Sequence, residues 1–207
     1  MKVLHWQRKL SGELPVLIIQ TGFFTGVLHM IEKLILSYLT QEHRPNDWDN
    51  MFFSSATLWS RKSHDCETQC GCVLVKNKTI ISTGYNGFIR DIDDTLLPNH
   101  RPQKYPFMIH AEANAIYNAA REGQSTVGAR AYITAIPCGG CLQMLWQCGV
   151  HEIYFSNLSS PKRGVWLSDY NEILDQIQDR LDFRFFPSKH LSNYILKEAS
   201  EKFEKKS

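Results

Sequence analysis

The sequence predicts an α/β domain with a mixed five-stranded sheet and helices on both faces, and three observations support this prediction. Short apolar runs at Cys72–Val75 and Thr79–Thr83 flank the turn residues Asn77 and Lys78, a pattern typical of a β-hairpin. Two further strands are separated by a single helix over a short span, which predicts a parallel pair with a right-handed crossover. A final strand is expected at Phe183–Phe186.

The other elements follow from helical and alternating patterns between turn residues. Gly123 and Gly149 each follow a helical segment, where glycine commonly ends a helix. The Gly84–Lys104 stretch is long and polar, and loops of that length are usually functional or mobile. In chain order, the remaining predictions are helix Asp47–Lys62, helix His110–Arg121, strand Arg130–Ile136, helix Cys138–Cys148, strand His151–Phe155 and helix Asp169–Arg180.

The 207 residues suit one domain with terminal segments. We expect an N-terminal helical appendage over residues 1–45, the α/β domain over residues 46–186 and a polar C-terminal helix with a charged tail over residues 187–207. Leu17–Leu39 has apolar residues at helical spacing, which favours an amphipathic helix that packs on the domain or on another subunit. A membrane-surface helix is the weaker alternative, because its polar face is not strongly basic.

Composition narrows the class of protein. The chain has 23 Lys and Arg against 21 Asp and Glu, a net charge of +2 that does not indicate nucleic-acid binding by bulk charge. The apolar run Val16–Ile31 is broken by Gln20 and His29, so we expect no membrane span. The 6 cysteines come without a secretory signal, which predicts a reducing cytoplasm where clustered cysteines bind metal or fill a core.

Two short motifs carry the chemistry: His-x-Glu at residues 110–112 and Pro-Cys-x-x-Cys at residues 137–141. Each opens a predicted helix, and the spacing of Cys138 and Cys141 is typical of two thiolates on one metal. Positions i and i+2 do not share a helix face, so His110 and Glu112 can converge only at the open end of their helix. We expect His110, Cys138 and Cys141 to hold one Zn²⁺, leaving the fourth position for a water, with Glu112 as the proton carrier.

Either motif alone is a weak signal. A lone Cys-x-x-Cys also occurs in protein cores, redox sites and structural zinc sites, and a lone His-x-Glu is uninformative. The two together, in this order and each at the start of a helix, form the signature of zinc deaminases.

From about Trp48 to Phe155 the chain resembles the deoxycytidylate deaminases of the cytidine deaminase-like superfamily. The resemblance extends beyond the zinc motifs to several other stretches. These are Ser63-His64-Asp65, Gly71–Val75, Ser82-Thr83-Gly84-Tyr85-Asn86-Gly87, Asp93-Asp94 with Leu97-Pro98, Lys104-Tyr105-Pro106 and Asn114-Ala115-Ile116.

The resemblance implies a three-layer α/β/α fold, one zinc per chain, and hydrolytic deamination of dCMP to dUMP with release of ammonia. It also implies a homo-oligomer, dCTP and dTTP as effectors, and contact of Asn86 with the nucleotide. The family usually has Pro and Gly shortly after Gly87, whereas this chain has Phe88-Ile89-Arg90-Asp91 in a loop tied to nucleotide binding and allostery.

A monophosphate substrate requires cations or backbone N–H donors near the mouth of the site. Arg90, Arg101 and Lys104 lie in the loop that leads to His110, and we interpret them as candidate phosphate contacts. The alternative is a solvated loop with scattered charge.

Other functions share the zinc motif. A nucleic-acid base deaminase of the tRNA or single-strand type needs a basic, aromatic surface, and the near-neutral charge argues against it. A non-catalytic zinc module has no use for Glu112. Riboflavin-pathway and guanine deaminases share the core fold, and the sequence favours them less as alternative functions.

Two groups of residues outside the motifs also bear on metal binding. For Cys66, Cys70 and Cys72 we favour filling of the core over a second zinc site. His64 and His151 are interpreted as structural histidines.

Overall fold

The computed structural model of the chain describes residues 37–38, 41–157 and 172–191. The predicted helix at Leu17–Leu39 lies outside the described residues except for residues 37–38, and most of the predicted C-terminal helix lies outside them too. A helical segment over residues 172–177 leads through a 3₁₀ turn at Gln178–Arg180 into the last strand. The named elements are α1 Asp47–Ser60, β1 Gly71–Lys76, β2 Thr79–Tyr85, α2 Ala111–Arg121, β3 Arg130–Ile133, α3 Gly139–Gln147, β4 Glu152–Phe155 and β5 Asp182–Phe185.

The strands form one mixed sheet in the order β2-β1-β3-β4-β5. β1 is antiparallel to both β2 and β3, whereas β3, β4 and β5 run parallel to one another. The predicted hairpin is confirmed, and its turn residues Asn77 and Lys78 have φ angles of 51° and 59°. The crossover from β3 through α3 to β4 is confirmed as the link between parallel neighbours.

Helices cover both faces of the sheet, as predicted. On one face α1 packs Phe52 and Phe53 against Val73 and Tyr132 of the sheet. On the other face α2 and α3 pack against side chains such as Leu74 of β1. Because neighbouring residues of β1 enter opposite layers, the strand is apolar almost throughout rather than alternating.

Gly84 sets how closely β2 approaches α2. A Cβ atom at this position would lie 2.2 Å from the carbonyl oxygen of Ala111 and 2.4 Å from the nitrogen of Ala115. The side-chain amides of Asn114 and Asn118 donate to the carbonyls of Tyr85 and Thr83 at 2.7 Å each. These contacts bind the helix that carries the His-x-Glu motif to the edge strand.

Some predicted boundaries were wrong by a few residues. The strand predicted at Arg130–Ile136 ends at Ile133, because the chain then turns so that Cys138 can cap α3. The strand predicted at Thr79–Thr83 instead continues to Tyr85, where Gly71 still pairs with it. Within the described residues, no helix combines the length and the apolarity needed to cross a bilayer.

Candidate active site

Two helix N-termini frame the candidate site. His110 is the N-cap of α2, and its side chain makes no capping hydrogen bond, so the imidazole is available for another partner. Cys138 is the N-cap of α3, and its Sγ accepts a hydrogen bond of 3.4 Å from the backbone N–H of Cys141. The positive end of a helix dipole and such N–H donors favour a thiolate at this position.

The three predicted ligands lie together. Nδ1 of His110 is 3.5 Å from Sγ of Cys138 and 3.4 Å from Sγ of Cys141. All three atoms lie within 4.8 Å of one another. In a tetrahedral zinc site with Zn–N of about 2.0 Å and Zn–S of about 2.3 Å, the nitrogen and sulfur ligands lie about 3.5 Å apart. The donor types and their spacing therefore fit one Zn²⁺, with the fourth position open.

The Cys138 thiol differs from the buried thiols outside the site. Hydrogen bonds from Cys141 and His110 lower the pKa of the Cys138 thiol, so it ionises readily. Burial raises the pKa of Cys70 to about 12 and that of Cys72 well above its usual range. Cys72 belongs to the core and Cys70 packs against it, as neutral apolar side chains, in agreement with the predicted core role.

The predicted core role is wrong for Cys66, because its side chain is exposed at the surface. Cys66 has its Sγ 3.5 Å from Nδ1 of His100. Over the described ranges, the side chains that form a group of three or more metal-ligating residues are those of His110, Cys138 and Cys141.

Glu112 stands in the first turn of α2 beside these residues. Only 5% of its surface is exposed, and burial raises the pKa of its carboxyl, an effect that the nearby His110 opposes. A carboxyl whose pKa is raised toward neutral pH is suited to act in turn as proton acceptor and proton donor. His110 and Glu112 both lie at the N-terminal end of the helix, where we predict that their side chains converge.

Asn86 is fully engaged by the protein. It is 5% exposed, and its Nδ2 donates to the carbonyl of Thr68 at 2.8 Å and to Asp65 at 3.3 Å. Its Oδ1 accepts from the backbone N–H of Cys70 at 2.7 Å. Both amide hydrogens are thus in use, and contact of Asn86 with a nucleotide remains a prediction.

The three candidate phosphate contacts have different surroundings. Lys104 is buried, and its Nζ lies 2.6 Å from Asp65 and 2.7 Å from Glu67. Burial opposes its charge, but these hydrogen bonds prevail and raise the pKa of Lys104. Arg101 contacts Glu67 and donates to the hydroxyl of Thr68. Lys104 and Arg101 are therefore both bound to side chains of the protein itself. Their contact with phosphate remains a prediction.

Arg90 is different, because it is exposed and its guanidinium donates to the Oδ1 of Asn118. It lines a cleft of about 300 Å³ at the β2 edge of the sheet. Within the described part of the chain, no carboxylate forms an ion pair with Arg90. The walls of the cleft are Trp59, Thr83, Tyr85, Phe88, Arg90, Asn114 and Asn118.

Sequence reasoning missed three contributors to this region. Asp65 was noted only as part of a family pattern, although it accepts hydrogen bonds from Lys104 and Asn86. Its only signal in the sequence was its place in the run Ser63-His64-Asp65, which does not indicate a partner 39 residues away. Trp59, which walls the cleft, carried no recognisable signal. Phe88, the other such residue, was marked only by its place in the loop that departs from the family pattern.

Comparison with known proteins places this geometry in a family. The family model described as the cytidine and deoxycytidylate deaminase zinc-binding region matches residues 46–157. The chain belongs to this family. The match contains both zinc motifs, so the zinc cofactor of this deaminase family has its expected ligand types here.

Similar proteins within the family are deoxycytidylate deaminases. The chain is 31% identical over 135 residues to a probable deoxycytidylate deaminase of Drosophila melanogaster. The aligned region covers 58% of this chain and 66% of the fly protein. It is 33% identical over 116 residues to the deoxycytidylate deaminase of Mus musculus, which covers 53% of this chain and 64% of the mouse protein. The chain therefore spans slightly less than two thirds of the length of these two curated relatives.

A solved deaminase structure has the same fold. The dCMP deaminase from the cyanophage S-TIM5, in complex with dCMP and dUMP, matches with a TM-score of 0.57 and 25% sequence identity. The match covers 70% of this chain and 100% of the phage chain. The three-layer fold implied by the sequence is thereby confirmed.

Proposed function

We propose that the protein catalyses zinc-dependent hydrolytic deamination of dCMP, giving dUMP and ammonia. The observation that carries the proposal is the His110, Cys138 and Cys141 group with buried Glu112 beside it at the same helix end. A structural zinc site is usually closed by four protein ligands, whereas three ligands leave a position for a reactant.

The side chains have separate roles in this proposal. His110, Cys138 and Cys141 hold the metal, which when bound makes a water nucleophilic at neutral pH. Glu112 accepts a proton from that water and delivers it to the ring nitrogen next to the attacked carbon. Glu112 then takes the remaining proton from the hydroxyl group on the attacked carbon and delivers it to the departing amine, so that ammonia leaves as the carbonyl of dUMP forms. Because Glu112 is shielded from solvent, this proton stays within the site.

The choice of dCMP has independent support in the comparisons and in one side chain. The phage relative binds dCMP and dUMP, and both curated relatives carry the deoxycytidylate deaminase name. Of the three candidate cations, Arg90 forms no ion pair within the described residues and donates instead to Asn118. An arginine can bind phosphate through two parallel hydrogen bonds.

We further propose that the protein forms a homo-oligomer in the cytoplasm. The family resemblance implies dCTP and dTTP as effectors, although the run Phe88-Ile89-Arg90-Asp91 departs from the family pattern in the loop tied to allostery. Self-association is supported by the outer face of α1, where Met51 is 61% exposed and Leu58 is 71% exposed beside the half-exposed ring of Trp48. The cytoplasm is supported by the 6 cysteines, all of which are free thiols. Sedimentation of the purified protein, and activity with added dCTP or dTTP, test the first and last of these proposals.

The activity is tested with a panel of substrates. The purified full chain is incubated with dCMP, CMP, dCTP and deoxycytidine while ammonia release is followed, with Glu112→Gln as the blank. We expect dCMP to give the highest kcat/KM. Release from a tRNA or single-stranded DNA but not from dCMP would replace this proposal with that of a nucleic-acid deaminase.

A further inference from the structure

The stretch before β1 and the loop before α2 are joined by a buried ion pair. Nζ of Lys104 lies 2.6 Å from Oδ1 of Asp65, and each side chain is 3% exposed. Glu67 is a second partner of Lys104 at 2.7 Å. Removing two charges from water is costly, so a buried pair is weak evidence for a stabilising role. Lys104 lies only a few residues before His110, which opens the zinc motif. This location indicates a role in shaping the metal site rather than in stabilising the fold.

Asp65 does more than neutralise Lys104. Its Oδ1 also accepts from the backbone N–H groups of Glu67 at 2.8 Å and Thr68 at 3.0 Å. Its Oδ2 accepts from the amide of Asn86. The carboxylate therefore shapes its own turn and holds the end of β2 at the same time.

Asn86 continues this connection toward the site. Its backbone N–H donates to the carbonyl of Cys70 at 3.1 Å, so its backbone and its side chain are both fixed to residues 68–70. The next residue, Gly87, exchanges two hydrogen bonds with Ile109, of 3.0 Å and 2.8 Å. Ile109 directly precedes His110. A continuous path of hydrogen bonds thus joins Asp65 to the residue before the predicted ligand.

Lys104 fixes the other end of the segment that leads to His110. Its carbonyl oxygen accepts from the N–H of Met108 at 3.1 Å, which folds the chain between Lys104 and Ile109 into a compact turn. With the ammonium held at Asp65, both ends of the stretch from Lys104 to His110 are anchored to the same part of the protein.

We propose that Asp65 and Lys104 form a positioning pair that fixes the entry of His110 into α2, and with it the geometry of the metal centre. This inference rests on the proposed function for its kinetic consequences but not for its structural ones. Among the described residues, the side chains of Asp65 and Lys104 bond to each other and to residues 67, 68 and 86, and not to the predicted metal ligands. Loss of the pair should therefore act equally on a nucleotide and on a nucleoside, unlike the loss of a phosphate contact.

The test compares Lys104→Met and Asp65→Asn with Lys62→Met, which removes an exposed lysine just beyond the C-cap of α1. Zinc release to a chelator and kcat on dCMP and deoxycytidine are measured well below the melting temperature. We expect zinc release to be about 10–100-fold faster and kcat per bound zinc to be lower by a similar factor on both substrates, the usual effect of losing a residue that supports a metal ligand. Lys62→Met should match the wild type.

Hydrogen exchange separates local displacement from general destabilisation. In both variants the amides of Cys70, Gly87 and Ile109 should exchange faster, while those of Ala131 and Ile153 in the central strands should not change. Unchanged zinc release and exchange in a folded Asp65→Asn protein would overturn the proposal, as would a loss confined to dCMP in Lys104→Met. If the wild type does not deaminate dCMP, the proposed function fails, while zinc release and exchange still decide the role of the pair.

Discussion

Nδ1 of His110 lies 3.4 Å from Sγ of Cys141, although 31 residues separate them in the chain. The contact exists because α2 and α3 lie on the same face of the sheet, where both pack on the core that includes Leu74. Each helix presents its N-terminus to the other. The contact therefore depends on how the two helices pack on the sheet, and neither motif determines it alone.

Replacement of Cys138 should remove the metal. Cys138→Ser loses a thiolate that sits 3.5 Å from His110, so zinc content should fall well below one per chain in metal analysis. The matched control is Cys148→Ser, at the other end of α3 and outside the ligand group, which should keep its zinc. Stability should fall with the zinc, since metal binding contributes to folding free energy. Full zinc in Cys138→Ser would exclude it as a ligand.

Glu112→Gln should separate metal binding from turnover. The amide cannot carry a proton, so kcat should drop by at least about 10²-fold while zinc content stays normal. Glu122→Gln changes the exposed C-cap of the same helix and should leave kcat unaltered. Loss of zinc from Glu112→Gln would make Glu112 a ligand, and full activity would end its role as the proton carrier.

Arg90→Ala should discriminate nucleotide from nucleoside. A charge-assisted hydrogen bond is worth about 1.5–3 kcal/mol, so its loss should reduce kcat/KM for dCMP roughly 10–150-fold. Deoxycytidine, which has no phosphate, should be turned over as before. Arg121→Ala, in the last turn of α2, is the control. Equal losses on both substrates would show that Arg90 does not read the phosphate.

A chain that starts at Met30 should keep its zinc. The family match begins at residue 46, and the described residues before it that contact the domain, including Tyr38, Glu42 and His43, are all kept in the shortened chain. Metal analysis of the shortened protein checks this result. Loss of zinc would mean that residues 1–29 belong to the domain, contrary to our proposed boundary. A change in sedimentation alone would place the segment between subunits.

Gly84→Ala should destabilise the protein. The new Cβ would meet backbone atoms of α2 at 2.2 Å and 2.4 Å, so the helix must move, at a cost of about 1–3 kcal/mol for an overpacked contact. Gly140→Ala meets nothing within 4 Å and should stabilise its helix by about 0.5–1 kcal/mol. Denaturant unfolding of the two variants measures the contrast. Equal stabilities would show that the approach of β2 to α2 is not tight.

Much of the fold was predictable because its determinants are local. The hairpin turn at Asn77, the glycine after α3 and the apolar strands each follow from a few neighbouring residues. The zinc ligands were also predictable, since the spacing of Cys138 and Cys141 and the helix-opening position of His110 are properties of short segments. Boundaries shifted where capping decided them, as at the end of β3.

The sequence by itself determined the order of the elements, the residue types at the metal and the family. Only the tertiary structure decided what the charged loop does. In sequence, Lys104 and Arg90 are equivalent cations, but Lys104 is buried against Asp65, 39 residues away, while Arg90 lies exposed at a cleft. The use of a charge depends on its dehydration and on its partners, and both arise from distant parts of the chain that meet only in the folded protein.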